Sequence, residues 1–73
     1  MTYEEATGKI QTGKRYRHFK GNEYEVVCVA RHTETEEAMV VYKALYGEGH
    51  VWVRPAGMLF EEVSPGVSRF SLA

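Results

Sequence analysis

The chain reads as all-β: a small antiparallel barrel of five or six short strands, preceded by a brief N-terminal extension. Three observations predict it. Short runs rich in β-branched and aromatic residues recur between tight-turn signals, the pattern of strands joined by hairpins. Residues 24–31 and 38–46 are strand-like yet apolar on both alternating faces. A chain of 73 residues has too little mass to cover both faces of a flat sheet with helices. A sheet that curls on itself meets that constraint.

The elements follow in order. Thr2-Tyr-Glu-Glu5 has the spacing of a capping box. Gly8 and Gly13 keep any helix short, so residues 1–13 read as an extension or one helical turn leading into a domain at residues 14–73. Tyr3, Ala6 and Ile10 are placed to pin that extension to the core. Residues 16–20 form a first strand, with Phe19 assigned to the core, and Gly21-Asn22 turns the chain. A second strand spans residues 24–31, and residues 32–37 form a polar hairpin connection. The third spans residues 38–46. Gly47-Glu-Gly49 is the clearest hairpin turn, and His50-Val-Trp-Val-Arg54 is the fourth strand. Pro55 lacks an N–H and ends it.

Residues 55–58 suit a tight turn or a single 3₁₀ turn, and residues 59–63 resume extended structure. Ser64-Pro-Gly-Val67 matches a type II turn with Pro65 and Gly66 at its centre. Residues 69–72 return as a last short strand. A series of hairpins ending in a 3₁₀-like turn and a final strand is the order of an SH3-like barrel. An open α+β sheet is the second choice. Val27, Val29, Met39, Val41 and Leu45 share one face with Val51 and Val53, and this set is expected to fill the barrel. Cys28 is expected to be a buried, inert thiol.

Composition bounds the function. With 44% hydrophobic and 26% charged residues, the chain has the make-up of an ordinary soluble domain. A single cysteine rules out an internal disulfide and fits a reducing compartment. The longest apolar run is far short of the roughly 18–20 residues of a membrane helix, and the acidic N-terminus has no signal core. Cytoplasmic location without membrane contact is the expectation. A net charge of −1 gives no global preference for nucleic acid. Locally, Lys9, Lys14, Arg15, Arg17 and Lys20 supply five of the nine basic residues, and Glu34, Glu36 and Glu37 cluster further on.

Several fixed-spacing blocks occur in order: Tyr16-Arg-His-Phe-Lys-Gly21, Tyr24-x-Val26, Ala30-x-His32-x-Glu34, Val40-Val-Tyr42, Leu45-Tyr-Gly47, and Trp52-Val-Arg-Pro55 with Met58. Over residues 14–63 these blocks resemble the DUF1653 family of small bacterial proteins. The resemblance implies a small β-barrel from a bacterial cytoplasm. The family is functionally uncharacterised, so it supplies no catalytic residue to carry over.

The candidate site is the aromatic and polar set on the strands: Tyr24, Tyr42, Tyr46, His50, Trp52 and Arg54, joined by His18. Aromatic walls with a few polar tips are how small barrels hold flat ligands or peptide side chains. Tyr42 and Trp52 read as platforms, Arg54 and His18 as polar anchors, and Tyr24 and Tyr46 as walls. The competing reading is that these aromatics close a second small core beneath the N-terminal segment.

Neither a metal site nor a catalytic residue emerges. His18, His32 and His50 stand without compact ligand spacing, and no serine elbow exists. Cys28 has no activating neighbour in sequence. The expected function is a non-catalytic binding module without a cofactor, taking a peptide or protein segment or a small ligand. Nucleotide or nucleic-acid binding through the basic, aromatic-interleaved residues 16–20 is one alternative. A small hydrolase using His18 or His32 with a glutamate is another. Long apolar edges leave a homodimer open.

Overall fold

A computed structural model describes residues 1–73. Helix α1 (Tyr3–Lys9) opens the chain. Its capping box is complete: the Thr2 hydroxyl accepts the Glu5 N–H at 3.1 Å, and the Glu5 carboxylate accepts the Thr2 N–H at 2.9 Å. Strands β1 (Arg15–His18), β2 (Glu23–Arg31), β3 (Ala38–Ala44) and β4 (Val51–Pro55) follow. A 3₁₀ turn at Ala56–Met58 precedes β5 (Glu62–Ser64), β6 (Val67–Ser68) and β7 (Phe70–Leu72). The turn between β5 and β6 places Gly66 at φ 78°, the left-handed position that a type II turn reserves for glycine.

The main sheet is antiparallel and five-stranded, in the order β4-β3-β2-β1-β7, with β5 and β6 paired as a separate ribbon. It curls but does not close into a barrel. Pro55 ends β4 and the 3₁₀ turn diverts the chain, so no ladder joins β4 to β7. The gap is crossed by other bonds: Arg69 N–H donates to the Glu61 carbonyl at 2.7 Å, and Phe70 N–H to the Leu59 carbonyl at 3.1 Å. Chain leaving one edge of the sheet is thereby stitched to the other edge. The molecule is only 18 Å thick along its shortest axis, which is one sheet and one covering layer.

The core lies on the face opposite to the one expected. Tyr16, Val26, Val40, Tyr42 and Phe70 are buried on the inner face, against Ala6 and Ile10 at the N-terminal helix and Ala56 and Leu59 at the 3₁₀ turn. Val27, Leu45, Val51 and Val53 are exposed, Val53 at 60%. The reason is charge. Glu25 and Lys43 share the alternation of the valines, and register places Val51, Lys43, Glu25 and Arg15 in one row across the sheet. Burying that row would strip charged heads of water. Further along, Arg17 and Arg15 reach Glu23 at 2.8 and 3.3 Å and hold its carboxyl below the usual range, the Arg17 hydrogen bond first.

A β-bulge in β2 corrects two further expectations. Val26 pairs with Tyr42 but Cys28 pairs with Val41, so Val27 is an extra residue in the ladder. Alternation reverses there: Val26 and Val29 face inward, while Val27 and Cys28 both meet solvent. Cys28 is therefore an exposed thiol. Phe19 follows β1 and is 42% exposed instead of forming part of the core.

Two measurements test this face assignment. Native protein is expected to react with one equivalent of Ellman's reagent at Cys28 without denaturant, and a thiol that reacts only after unfolding would restore the buried reading. In urea titrations Leu59→Ala is expected to cost about 2–5 kcal/mol. Val53→Thr is expected to stay within about 0.5 kcal/mol; the reverse ranking would sink the assignment.

Candidate functional site

The inner face carries a cluster of rings centred on Phe70 of β7. Phe70 meets the edges of His18 at 4.9 Å, Tyr24 at 5.6 Å and Tyr42 at 5.7 Å between ring centroids. Tyr24 in turn packs edge-to-face on Tyr42 at 5.2 Å and on Tyr46 at 5.5 Å. Four separate strands supply these rings because register sets His18 opposite Phe70 and Tyr24 opposite Ala44, two residues from Tyr42. The Tyr24 and Tyr46 hydroxyls are hydrogen bonded at 2.9 Å. Loss of water and that bond push the Tyr24 phenol up to about 12.

Cations surround the cluster. Arg54 on β4 donates its Nε–H to the Tyr42 hydroxyl at 3.3 Å and sets its guanidinium 5.7 Å from the Phe70 centroid. His18 accepts the Lys20 backbone N–H on Nδ1 at 3.2 Å, which favours the neutral ring protonated at Nε2. Its pKa lies below the ordinary imidazole value, first through desolvation and then through the charges of Arg54, Arg69 and Lys20.

The sequence-predicted residues thus separate into two groups. His18, Tyr24, Tyr42, Tyr46 and Arg54 gather around Phe70. Tyr42 is buried, so it supports the site from beneath and offers no open platform. Trp52 and His50 sit at the β4 edge, with ring centroids 6.1 Å apart. Trp52 is level with Tyr42 in the ladder and remains 52% exposed. His50 bonds Glu48 at 3.1 Å in an exposed loop. His32 is spent on a turn, its Nδ1 accepting the Glu34 and Thr35 N–H groups. No group of three or more His, Cys, Asp or Glu side chains converges on a common point.

Phe70 and Arg69 were not legible as site residues. They lie in a short segment after the Pro65-Gly66 turn, and nothing local marks them as neighbours of Tyr24 or Arg54. The helix and the 3₁₀ turn cover the core part of this face, and the part that carries Tyr46 and Trp52 stays exposed, without an enclosed cavity. No helix is long and apolar enough to cross a membrane.

Comparison with known proteins gives the same frame. Residues 14–72 match the model of the DUF1653 family, described as a protein of unknown function. The chain is similar to a crystal structure of a DUF1653 protein from Bordetella bronchiseptica, with a TM-score of 0.76 and 32% identity over 90% of each chain. No curated protein matches in sequence.

The His18 environment predicts a pH dependence with a definite sign. A histidine whose folded pKa lies below its unfolded value supports full stability above about pH 6.5. Stability is then lost as pH falls from there through the depressed folded value, because unfolding takes up a proton. His18→Gln is expected to flatten this part of the stability profile in denaturant titrations from pH 7.5 to 5. Superimposable profiles for the two proteins would refute the assignment.

Proposed function

Because the chain belongs to the DUF1653 family, whose members share no assigned activity, its role is read from its own geometry, and we propose a non-catalytic binding module. The ligand-bearing surface is the inner face bounded by His18, Tyr24, Tyr46, Trp52 and Arg54. The observation that carries this reading is the half-exposed Trp52, a large ring beside His50 on the inner-face side of an edge strand. Buried aromatics explain themselves by packing. Packing in the core does not account for Trp52, whose ring is 52% exposed on the edge strand.

The preferred partner is an extended peptide or protein segment. An exposed surface without an enclosed cavity suits a strand-like ligand better than a small molecule, which needs enclosure on most sides. The terminal strand β4 adds free backbone beside Trp52 for such a segment. The incompletely closed sheet, with its 3₁₀ turn between β4 and the closing strands, is an opened variant of the SH3-like order. Nucleotide or nucleic-acid binding is the second reading, favoured by Arg54 over the Phe70 ring and Lys20 over the Phe19 ring. Hydrolysis through a histidine and a glutamate is disfavoured, since cations and Phe70 surround His18 and backbone donors occupy His32.

The test is an NMR titration that follows the Trp52 indole signal against extended peptides, mononucleotides and short single-stranded RNA. Peptides are expected to move it, and Trp52→Ala to weaken binding by about 2 kcal/mol or more while leaving the fold intact. An indole signal indifferent to every class would end the proposal. Steep weakening with salt would transfer it to the nucleic-acid reading.

A further inference from the structure

The cationic end of the inner face has more positive charge than its own carboxylates can satisfy. The ion pairs of the chain engage Arg15, Arg17, Arg31, His50 and Arg69, and omit both Arg54 and Lys20. Arg54 is half-buried, yet its one hydrogen bond goes to the neutral Tyr42 hydroxyl. Arg69 has a side chain only 23% exposed and touches Glu61 at a loose 3.6 Å. Its Nε is buried and has no acceptor within the chain. A guanidinium N–H withdrawn from water and left unmatched is costly, and more so when its charge is only weakly compensated.

Arg54 and His18 meet on the ring of Phe70, at 5.7 and 4.9 Å from its centroid, and Arg69 is the residue that immediately precedes Phe70 in the chain. The positive charges of Arg54, Arg69 and Lys20 all lower the pKa of His18. Glu61 is the carboxylate that reaches this group, and it does so through Arg69. Phe70 fixes the arrangement by packing against both His18 and the Arg54 guanidinium. A planar guanidinium fork with spare donors matches an oxyanion in geometry as well as charge. The hydrogen bond to His18 Nδ1 leaves Nε2–H as that ring's donor.

We propose that Arg54 and Arg69, with His18 and Lys20 beside them, form an oxyanion site that takes the carboxylate or phosphate group of the ligand. This rests on the inner face being the ligand-bearing surface and adds the chemistry that orients the ligand there. The anionic group sits between the two edge strands, on the side of the gap stitched by Leu59 and Glu61, and the remainder of the ligand runs toward Trp52. Such a ligand bridges the two edges that the backbone leaves unjoined.

The experiment is a pH titration of the His18 ring by NMR in inorganic phosphate, in a triglycine with a free C-terminus, and in chloride at equal ionic strength. An anion held within about 4–6 Å is expected to raise the His18 midpoint by about one unit. Triglycine amide is expected to leave it unmoved. A response to phosphate alone assigns a phosphorylated ligand, and a response to the free tripeptide alone assigns a chain terminus or acidic side chain. Arg69→Gln and Arg54→Gln are each expected to weaken binding about tenfold or more. Lys20→Gln, at an exposed turn where folding is not at stake, is expected to weaken it a few-fold. A midpoint identical in phosphate, tripeptide and chloride overturns the proposal, as does a shift that survives Arg54→Gln/Arg69→Gln in a folded protein. If peptides move Trp52 while no anion moves His18, the oxyanion site falls and the binding face stands. If anions move His18 while nothing moves Trp52, the Trp52 end of the binding face falls and the oxyanion site stands.

Discussion

The ring of Phe70 is the contact on which the architecture turns. It belongs to β7, one edge of the sheet, and it touches side chains from β1, β2, β3 and β4. A flat sheet in the order β4-β3-β2-β1-β7 would hold β4 and β7 roughly four strand spacings apart, about 19 Å. Arg54 nevertheless lies 5.7 Å from the Phe70 centroid, so the sheet has curled until its two edges face each other. The backbone bonds from Arg69 and Phe70 to Glu61 and Leu59 hold that curl in place. Strand β4 ends at Pro55, which lacks a ladder donor, and the 3₁₀ turn that follows carries the chain out of the sheet before the two edges pair. The same geometry therefore makes the core and leaves the opening beside it.

Curling also decides which face is buried. Aromatic side chains remove more area from water per residue than valines, about 150–250 Å² each, and they reach across a curved interior. One short helix and one 3₁₀ turn provide apolar cover for a single face only, through Ala6, Ile10, Ala56 and Leu59. The face bearing Tyr16, Tyr42 and Phe70 received it. The valines were left to the charged row of Lys43, Glu25 and Arg15, where their exposure costs little beyond lost burial. Of the aromatics that the competing picture placed in a second small core, Tyr42 lies in the principal core and Tyr24 packs against it, while Tyr46 and Trp52 stay exposed.

Much of the fold was legible along the chain. The capping box at Thr2, the hairpin at Gly47–Gly49, the end of β4 at Pro55 and the type II turn at Gly66 all rest on the chemistry of neighbouring residues, and each stands in the structure. The choice of face was also within reach, because Glu25 and Lys43 declare the parity of the solvated side. The valines and those two charges share one face, and the cost of drying the charges outweighs the gain from burying the valines. The bulge at Val27 was not legible: it adds one residue to an uninterrupted apolar run and leaves no composition signal. In the site, the aromatic residues were recognisable by alternation on paired strands. Arg69 and Phe70 were not, since their neighbours lie some 15 to 50 positions away and no local rule links them.

Sequence by itself determined the first four strands, the turns between them and the residue types available for a binding face, because those follow from local backbone preference and alternation. The C-terminal segment, expected as two strands, forms three, with β5 and β6 in a ribbon apart from β7. Sequence also carried the family blocks between Tyr16 and Met58. Tertiary structure alone decided that the sheet stops short of closing, that Tyr42 is buried while Trp52 at the same level is half-exposed, and that Arg54 from β4 and His18 from β1 meet on the ring of Phe70. These depend on curvature and on contacts between distant segments, where burial of one ring is set by whatever else competes for the same cover. A period-two pattern identifies which side chains share a face, but the number of apolar groups left to cover that face is a property of the whole chain.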